Sequence, residues 1–237
     1  MRQFFQKHNC RSAERNQERI DAIYAAVPAT NDAAVLEAGA VTARGLVALL
    51  RTLRDHIAEL DRRIEQLVMA HPDGALFASL PGAGAVLVPR LIVALGTHRQ
   101  RYDTAFEVQC YSGIAPVKES SGKTSRIHFR RTCPTFLRQT FHEFALHSIR
   151  QSEWAKAYYQ HLRENKNKTH QAAVRSLAYK WIRIIFRCWK DGKPYEEEVY
   201  LQSLRRRGSL IVGTVGLHTG AGWKTVAGFQ KLSEHKT

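Results

Sequence analysis

Cysteine is scarce in this sequence. Its four copies, Cys10, Cys110, Cys133 and Cys188, form no C-x-x-C pair, which argues against a structural zinc site or a disulfide framework and suits a reducing compartment. A secretory leader is missing as well: MRQFFQKHNCRSAERNQERI is charged throughout and has no apolar h-region. No uninterrupted apolar stretch reaches the roughly 20 residues of a bilayer-spanning helix, so the expectation is a soluble, cytoplasmic protein with no membrane partner. Acidic residues are short in one section only. Residues 1–74 hold ten Lys or Arg against ten Asp or Glu, whereas residues 75–237 hold 26 against 11. The whole net charge of +15 therefore lies in the second section. Charge confined in this way points to a polyanionic partner, because release of counterions drives such binding.

What is present reads as mostly helix. Residues 12–27 predict a short helix capped by Ser12, with Ile20, Ile23, Tyr24 and Val27 on one side, ended by Pro28, Thr30 and Asn31. A longer periodic segment runs from about Val35 to Ala70. Within it Leu46, Leu50, Leu53, Ile57, Leu60, Ile64 and Leu67 are spaced 4-3-4-3-4-3, an a/d seam of the coiled-coil kind. Either the seam pairs with another copy or the helix packs on its own domain. His71 to Gly74 close this helix, and the chain divides there into a helical or coiled-coil segment (1–74), a compact helical domain (75–208) and a loosely ordered tail (209–237).

The second domain opens with ALFASLPGAGAVLVPRLIVALG, residues 75–96. Two short apolar segments flank a glycine turn, as in a helix–hairpin–helix. Gly82 and Gly84 permit a tight turn, and the free N–H groups of the next helix would suit a phosphate; a turn between two core helices is the plainer alternative. Pro89, inside the second helix, is expected to kink it. Residues 102–110 suggest a short helix. The polar stretch 117–134 predicts a loop or hairpin, with RIHF its strand element. Three helices follow: one capped by Thr135 and running to about Gln151, one over Ser152–Arg163, and one at 170–190 with a broad apolar face. Lys180, Arg183, Arg187 and Lys190 lie 3-4-3 apart on another side of the last, either tracking a phosphate backbone or simply solvated. Pro194 opens a final helix with Glu196–Glu198 in its first turn and Arg205–Arg207 in its last.

Chemistry concentrates around V-K-E-S-S-G-K-T. Lys118, Lys123, Arg126, Arg130, Arg131 and Arg138 accompany a single acid, Glu119, over residues 118–138. These cations could steady the charge that develops when a serine attacks phosphorus, or the segment could simply contact phosphate. Other active sites find no support. S-G-K-T lacks the first glycine of a phosphate loop, since residue 117 is valine. No group of acids has the spacing of a metal centre, so neither metal nor cofactor is expected to be held by this chain.

Several stretches are more specific than these arguments can use: LFASLPGAGAVLVPRLIVALG, YSGIAPVKESSGK, CPTFLRQTFHEFALHSIRQSEWAKAYY, and AVRSLAYKWIRIIFRCW followed by KDGKPY. Together they resemble the DEDD insertion-sequence transposases guided by a bridge RNA (the "IS one-ten" family), in their C-terminal transposase domain, and the likeness covers roughly residues 1–208. The resemblance implies a bacterial, nucleoid-associated DNA recombinase whose nucleophile maps to Ser121, with Ser120 and Ser125 as rivals. It implies DNA and a guide RNA as partners and a coiled coil at 46–67; the phosphate contacts expected from the residues themselves are Gly82, Gly84, Lys118, Lys123, Arg126, Arg130, Arg131, Lys180, Arg183 and Arg187. In the family a RuvC-like domain carries four metal-binding acids. That half is not in this sequence: either a separate chain supplies it together with its Mg²⁺, or the chain is a truncated remnant, a non-catalytic helical module that binds nucleic acid and oligomerises, and alone it is expected to be inactive.

Overall fold

The computed structural model describes residues 3–4, 12–27 and 29–209. The tail expected to be loosely ordered lies, from residue 210 on, outside the described residues. The elements are α1 (Ala13–Tyr24), α2 (Ala33–Ala70), α3 (Gly74–Ala78), α4 (Leu87–Leu95), α5 (Ala105–Tyr111), β1 (Val117–Ser121), β2 (Thr124–His128), α6 (Thr135–Gln151), α7 (Glu153–Glu164), α8 (His170–Asp191) and α9 (Glu197–Arg206). The described residues are thus mainly helical, with one antiparallel pair of strands among them. It divides into two compact units, residues 1–61 and 62–237, and the boundary falls inside α2.

In the first unit Ser12 caps α1, accepting from the Arg15 N–H at 3.3 Å. The Asp32 carboxylate does the same for α2, accepting from Ala34 N at 2.9 Å. At 38 residues α2 extends about 57 Å, and none of its residues is buried. The seven seam residues are each 41–65% exposed. Residues 33–50 carry only Glu37 and Arg44 as charges, so by length and composition α2 could cross a membrane, although its polar interruptions had excluded it on sequence.

The second unit is built around α8, which packs against α5, α6 and α7. Val174, Leu177, Ala178, Trp181, Ile182, Ile185 and Trp189 recur at helical spacing along it, and all are 1% exposed or less. Trp154 and Trp181 lie 4.6 Å apart, and Phe144 meets Trp181 edge-on at 5.1 Å. Indole brings a polar N–H into the core, and each finds an acceptor. Trp181 Nε1 donates to Ser148 Oγ at 2.7 Å, Trp154 Nε1 to the Tyr195 hydroxyl at 2.8 Å, and Trp189 Nε1 to the Gly96 carbonyl at 2.8 Å. Removing a buried Phe or Trp side chain typically costs about 3–5 kcal/mol. This cluster therefore holds α6, α7 and α8 together.

Helix ends follow the local chemistry, with three departures from expectation. Ser152 and Thr169 cap α7 and α8, and Gly192 closes α8 in the left-handed region at φ 65°. The N-cap of α6 is Pro134, not Thr135, which is the first helical residue. Pro194 lies two residues before Glu196, the N-cap of α9. Pro89 does not kink α4. The helix begins at Leu87 after the N-cap Val86, which places Pro89 third, where a helical N–H has no intrahelical acceptor to lose.

Candidate nucleic-acid interface

The basic stretch forms a hairpin. Val117 pairs with His128, Lys118 with Ile127, Glu119 with Arg126, Ser120 with Ser125 and Ser121 with Thr124. Gly122 and Lys123 make the two-residue loop, with Gly122 at φ 55°. Glycine in the left-handed region at the first loop position matches the twist of antiparallel strands. Apart from Val117, which is half-buried, every strand residue is exposed. Two strands with no buried face are marginal in water, so the hairpin depends on its base.

That base is fixed by buried contacts. Ile114 and Ala115 are each 1% exposed, and their N–H groups donate to the Gln109 carbonyl at 3.0 and 2.9 Å. Gln109, itself buried, uses its side-chain amide to donate to the Tyr179 carbonyl on α8 at 2.7 Å. Across the hairpin, Cys133 presses on Gly113. A methyl group on Gly113 would collide with the Cys133 sulfur and lie 2.9 Å from its Cβ, and Gly113 has φ 72°. Glycine in YSGIAP is therefore required twice over, by backbone angle and by space.

Pairing sorts the side chains onto two faces, because they alternate along a strand. Ser121, Thr124, Glu119, Arg126 and His128 share one face. Lys118, Ser120, Ser125 and Ile127 share the other. Ser121 sits at the loop, and its main-chain oxygen accepts from Thr124 Oγ1 at 2.9 Å. Its hydroxyl has no hydrogen-bond partner among the described residues, and the nearest acid along its face, Glu119, pairs with His128 Nε2 at 3.3 Å. Arg130 and Arg131 follow the end of β2, six and seven residues beyond Thr124, and thus stand near the base, about 20 Å from the tip in extended chain. The Arg130 Nε is buried without a partner.

Among the described residues no ion pair engages Lys118, Lys123, Arg126, Arg130, Arg131, Arg138, Lys168, Arg175 or Arg183. The α8 stripe is different. Arg183 is free and exposed, but the Lys180 ammonium lies over the Tyr158 ring, 4.2 Å from its centroid, and burial with the neighbouring Arg183 pushes its pKa down. Arg187 pairs with Asp191 one turn on. Lys190 donates to the carbonyls of Arg99 and Tyr102 at 2.7 and 3.1 Å.

The glycine turn is also engaged within the fold. A methyl on Gly82 would lie 3.1 Å from the His147 carbonyl carbon and 3.2 Å from the Ser148 nitrogen, so the turn rests on the backbone of α6. The Gly84 carbonyl accepts from Leu87 N and Val88 N, both at 3.0 Å. Those two N–H groups, expected to face a phosphate, are already taken.

Sequence reasoning passed over one constellation. The Phe129 ring lies against the guanidinium groups of Arg175, at 3.7 Å, and Arg138, at 5.2 Å. Burial, then the proximity of Arg138, lowers the pKa of Arg175, and no acid relieves either charge, since Glu143 nearby is committed to Arg90 and Gln139. Phe129 and Arg175 are 46 residues apart, beyond the reach of any local periodicity. No group of three or more His, Cys, Asp or Glu among the described residues is placed to share a metal ion.

Comparison with known proteins bears on this surface. Residues 74–160 match the family described as Transposase IS116/IS110/IS902. The mini-circle transposase for IS117 of Streptomyces coelicolor is 27% identical over 156 residues, covering 65% of this chain and 37% of that protein. A 43.6 kDa protein of insertion element IS110 from the same organism is 28% identical over 155 residues, 65% of this chain and 38% of its own. The pilin gene-inverting protein of Moraxella bovis is 25% identical over 163 residues, 64% of this chain and 48% of its own. The chain thus spans less than half the length of these relatives. The matched segment runs from the start of α3 into α7 and encloses the whole hairpin, so over that segment the chain is similar to the IS116/IS110/IS902 transposases.

Proposed function

We propose that this chain is the DNA-handling part of an insertion-sequence recombinase, working in the bacterial cytoplasm, and that Ser121 is its nucleophile. One observation carries the reading: Ser121 stands exposed at the tip of a projecting hairpin whose Lys118, Lys123 and Arg126 form no ion pair among the described residues. A projecting element with unsatisfied cations fits a phosphodiester, whose oxygens would take the N–H groups of Lys123 and Arg126. In the reaction, Ser121 Oγ forms a bond to phosphorus, the P–O bond to one sugar breaks, and that sugar leaves as a free hydroxyl carrying the serine's proton. The phosphoserine ester conserves the bond for rejoining by the reverse step.

Activation of the hydroxyl must come from outside the described residues. Its own face offers Glu119, which is held by His128, and no cluster of acids among the described residues suits Mg²⁺. A RuvC-like domain and a guide RNA, both implied by the resemblance, would complete the machinery. The exposed α2 seam supports assembly of two copies along residues 46–67.

Supplying a RuvC-like half in trans with the element's end DNA should trap a covalent protein–DNA adduct, visible as a shifted band after denaturation. Ser121→Ala is expected to abolish it and Ser120→Ala, on the opposite face, to leave it. An adduct that survives Ser121→Ala removes the assignment. Salt-sensitive DNA binding with no adduct under any complementation favours a second reading, a nucleic-acid-binding module without chemistry, which the unpartnered Ser121 hydroxyl also allows.

A further inference from the structure

Between the base of the hairpin and helices α7 and α8 lies a groove of about 440 Å³. Its walls are mainly apolar and aromatic, with Pro116, Ile127, Phe129, Tyr158 and Tyr179. At its rim stand Lys168, Arg175 and Ser176. The Arg175 guanidinium lies over Phe129, its carbon 3.7 Å from the ring centroid. None of its N–H groups has a hydrogen-bond acceptor among the described residues. Lys168 donates to Ser176 Oγ at 3.0 Å and retains two further donors. The groove therefore joins rings suited to a planar apolar ligand with cations suited to an anion, and no carboxylate lines it.

The geometry points to this groove as a seat for one unpaired nucleotide, its base among the aromatic side chains and its phosphate against Arg175 and Lys168. The inference rests on the nucleic-acid reading above but assigns a different site and a different strand state. A duplex, about 20 Å across and with its bases stacked, cannot enter a cavity of this size. An extruded or single-stranded base can, and stacking on aromatic side chains favours it there. Placing a phosphate at Arg175 also relieves the unfavourable closeness of Arg175 and Arg138 over Phe129. A strand held here would lie beside the base of the hairpin, on the same unit as Ser121.

The test uses the full chain and fluorescence anisotropy with three labelled probes: single-stranded DNA, single-stranded RNA of the same sequence, and the matching duplex DNA. Arg175→Gln and Lys168→Gln, combined, are expected to weaken single-strand binding about five- to tenfold and to leave duplex affinity within about twofold. Lys123→Gln with Arg126→Gln should weaken the duplex. The DNA and RNA arms show which strand the groove prefers. Because Arg175 is partly buried, Lys168→Gln alone, at an exposed position, is measured in parallel and should show a smaller loss in the same direction. Photo-cross-linking of the wild-type chain with a 5-iodouracil single strand should label the peptide containing Phe129, Tyr158 or Tyr179. Equal losses for single strand and duplex, an unmoved single-strand affinity, or cross-links only elsewhere overturn this inference while duplex binding keeps the broader reading standing. A chain that binds none of the probes overturns both.

Discussion

Two glycines separated by one residue show how far a sequence can be read at single positions. The turn P-G-A-G offers Gly82 and Gly84 as equivalent hinges, and both were expected to face phosphate. Structurally they differ. Gly82 has φ 85° and a neighbouring helix backbone 3.1 Å from where a methyl would sit, whereas Gly84 opens onto empty space. Gly82→Ala should therefore lower stability by about 1–3 kcal/mol, from backbone strain and displacement of α6. Gly84→Ala should change it by less than about 0.5 kcal/mol. Urea unfolding followed by tryptophan fluorescence reads both, and equal losses would show that the close approach to α6 does not govern the turn. The same limit applies at Ser121. Its exposure and the basic company around it were legible in V-K-E-S-S-G-K-T, but the division of that company was not. Pairing in the hairpin, a property of two strands, places Arg126 on the serine's face and Lys118 on the other.

At the scale of elements, periodicity carried most of the helices. Apolar spacing located α6, α7 and α8, because burial of one face against the others is what makes them helical. Boundaries were set by finer chemistry: the helix start at Leu87 made Pro89 harmless, and Glu196, two residues after Pro194, became the cap of α9. The α2 helix reads the same in sequence and structure, yet its seam has no cover within the described residues. Seven apolar side chains at heptad spacing, each 41% exposed or more, are costly to leave in water, at roughly 25 cal/mol per Å². Two copies joined along the seam would remove that exposure. Replacing Leu53 and Leu60 by Asp should convert the assembly to monomers in sedimentation velocity and leave the near-ultraviolet signal of the tryptophan core unchanged. A wild-type chain that sediments as a monomer at micromolar concentration would sink the pairing.

For the whole molecule, the sequence located the basic excess after residue 74 but could not say which charges remain available. Folding decides that by pairing some and leaving others. Arg187 meets Asp191, Lys190 holds two carbonyls and Lys180 covers a ring, so three of the four cations of the evenly spaced α8 stripe are already engaged within the fold, and the charge of one of them is matched by an acid. Lys118, Lys123 and Arg126 project on a hairpin with both faces in solvent. Counterion release turns this difference into a measurable slope. Each phosphate neutralised on duplex DNA contributes about −0.9 to the dependence of log K on log salt. Replacing Lys118, Lys123 and Arg126 together by Gln should make the slope shallower by up to about 3 and weaken binding across all sequences alike. Arg187→Gln should leave the slope as it is, because its charge is already matched by Asp191. Titrations over a series of salt concentrations separate the cases. If Arg187→Gln flattens the slope as much as one hairpin substitution does, the DNA path follows α8, and the hairpin loses its place as the principal contact.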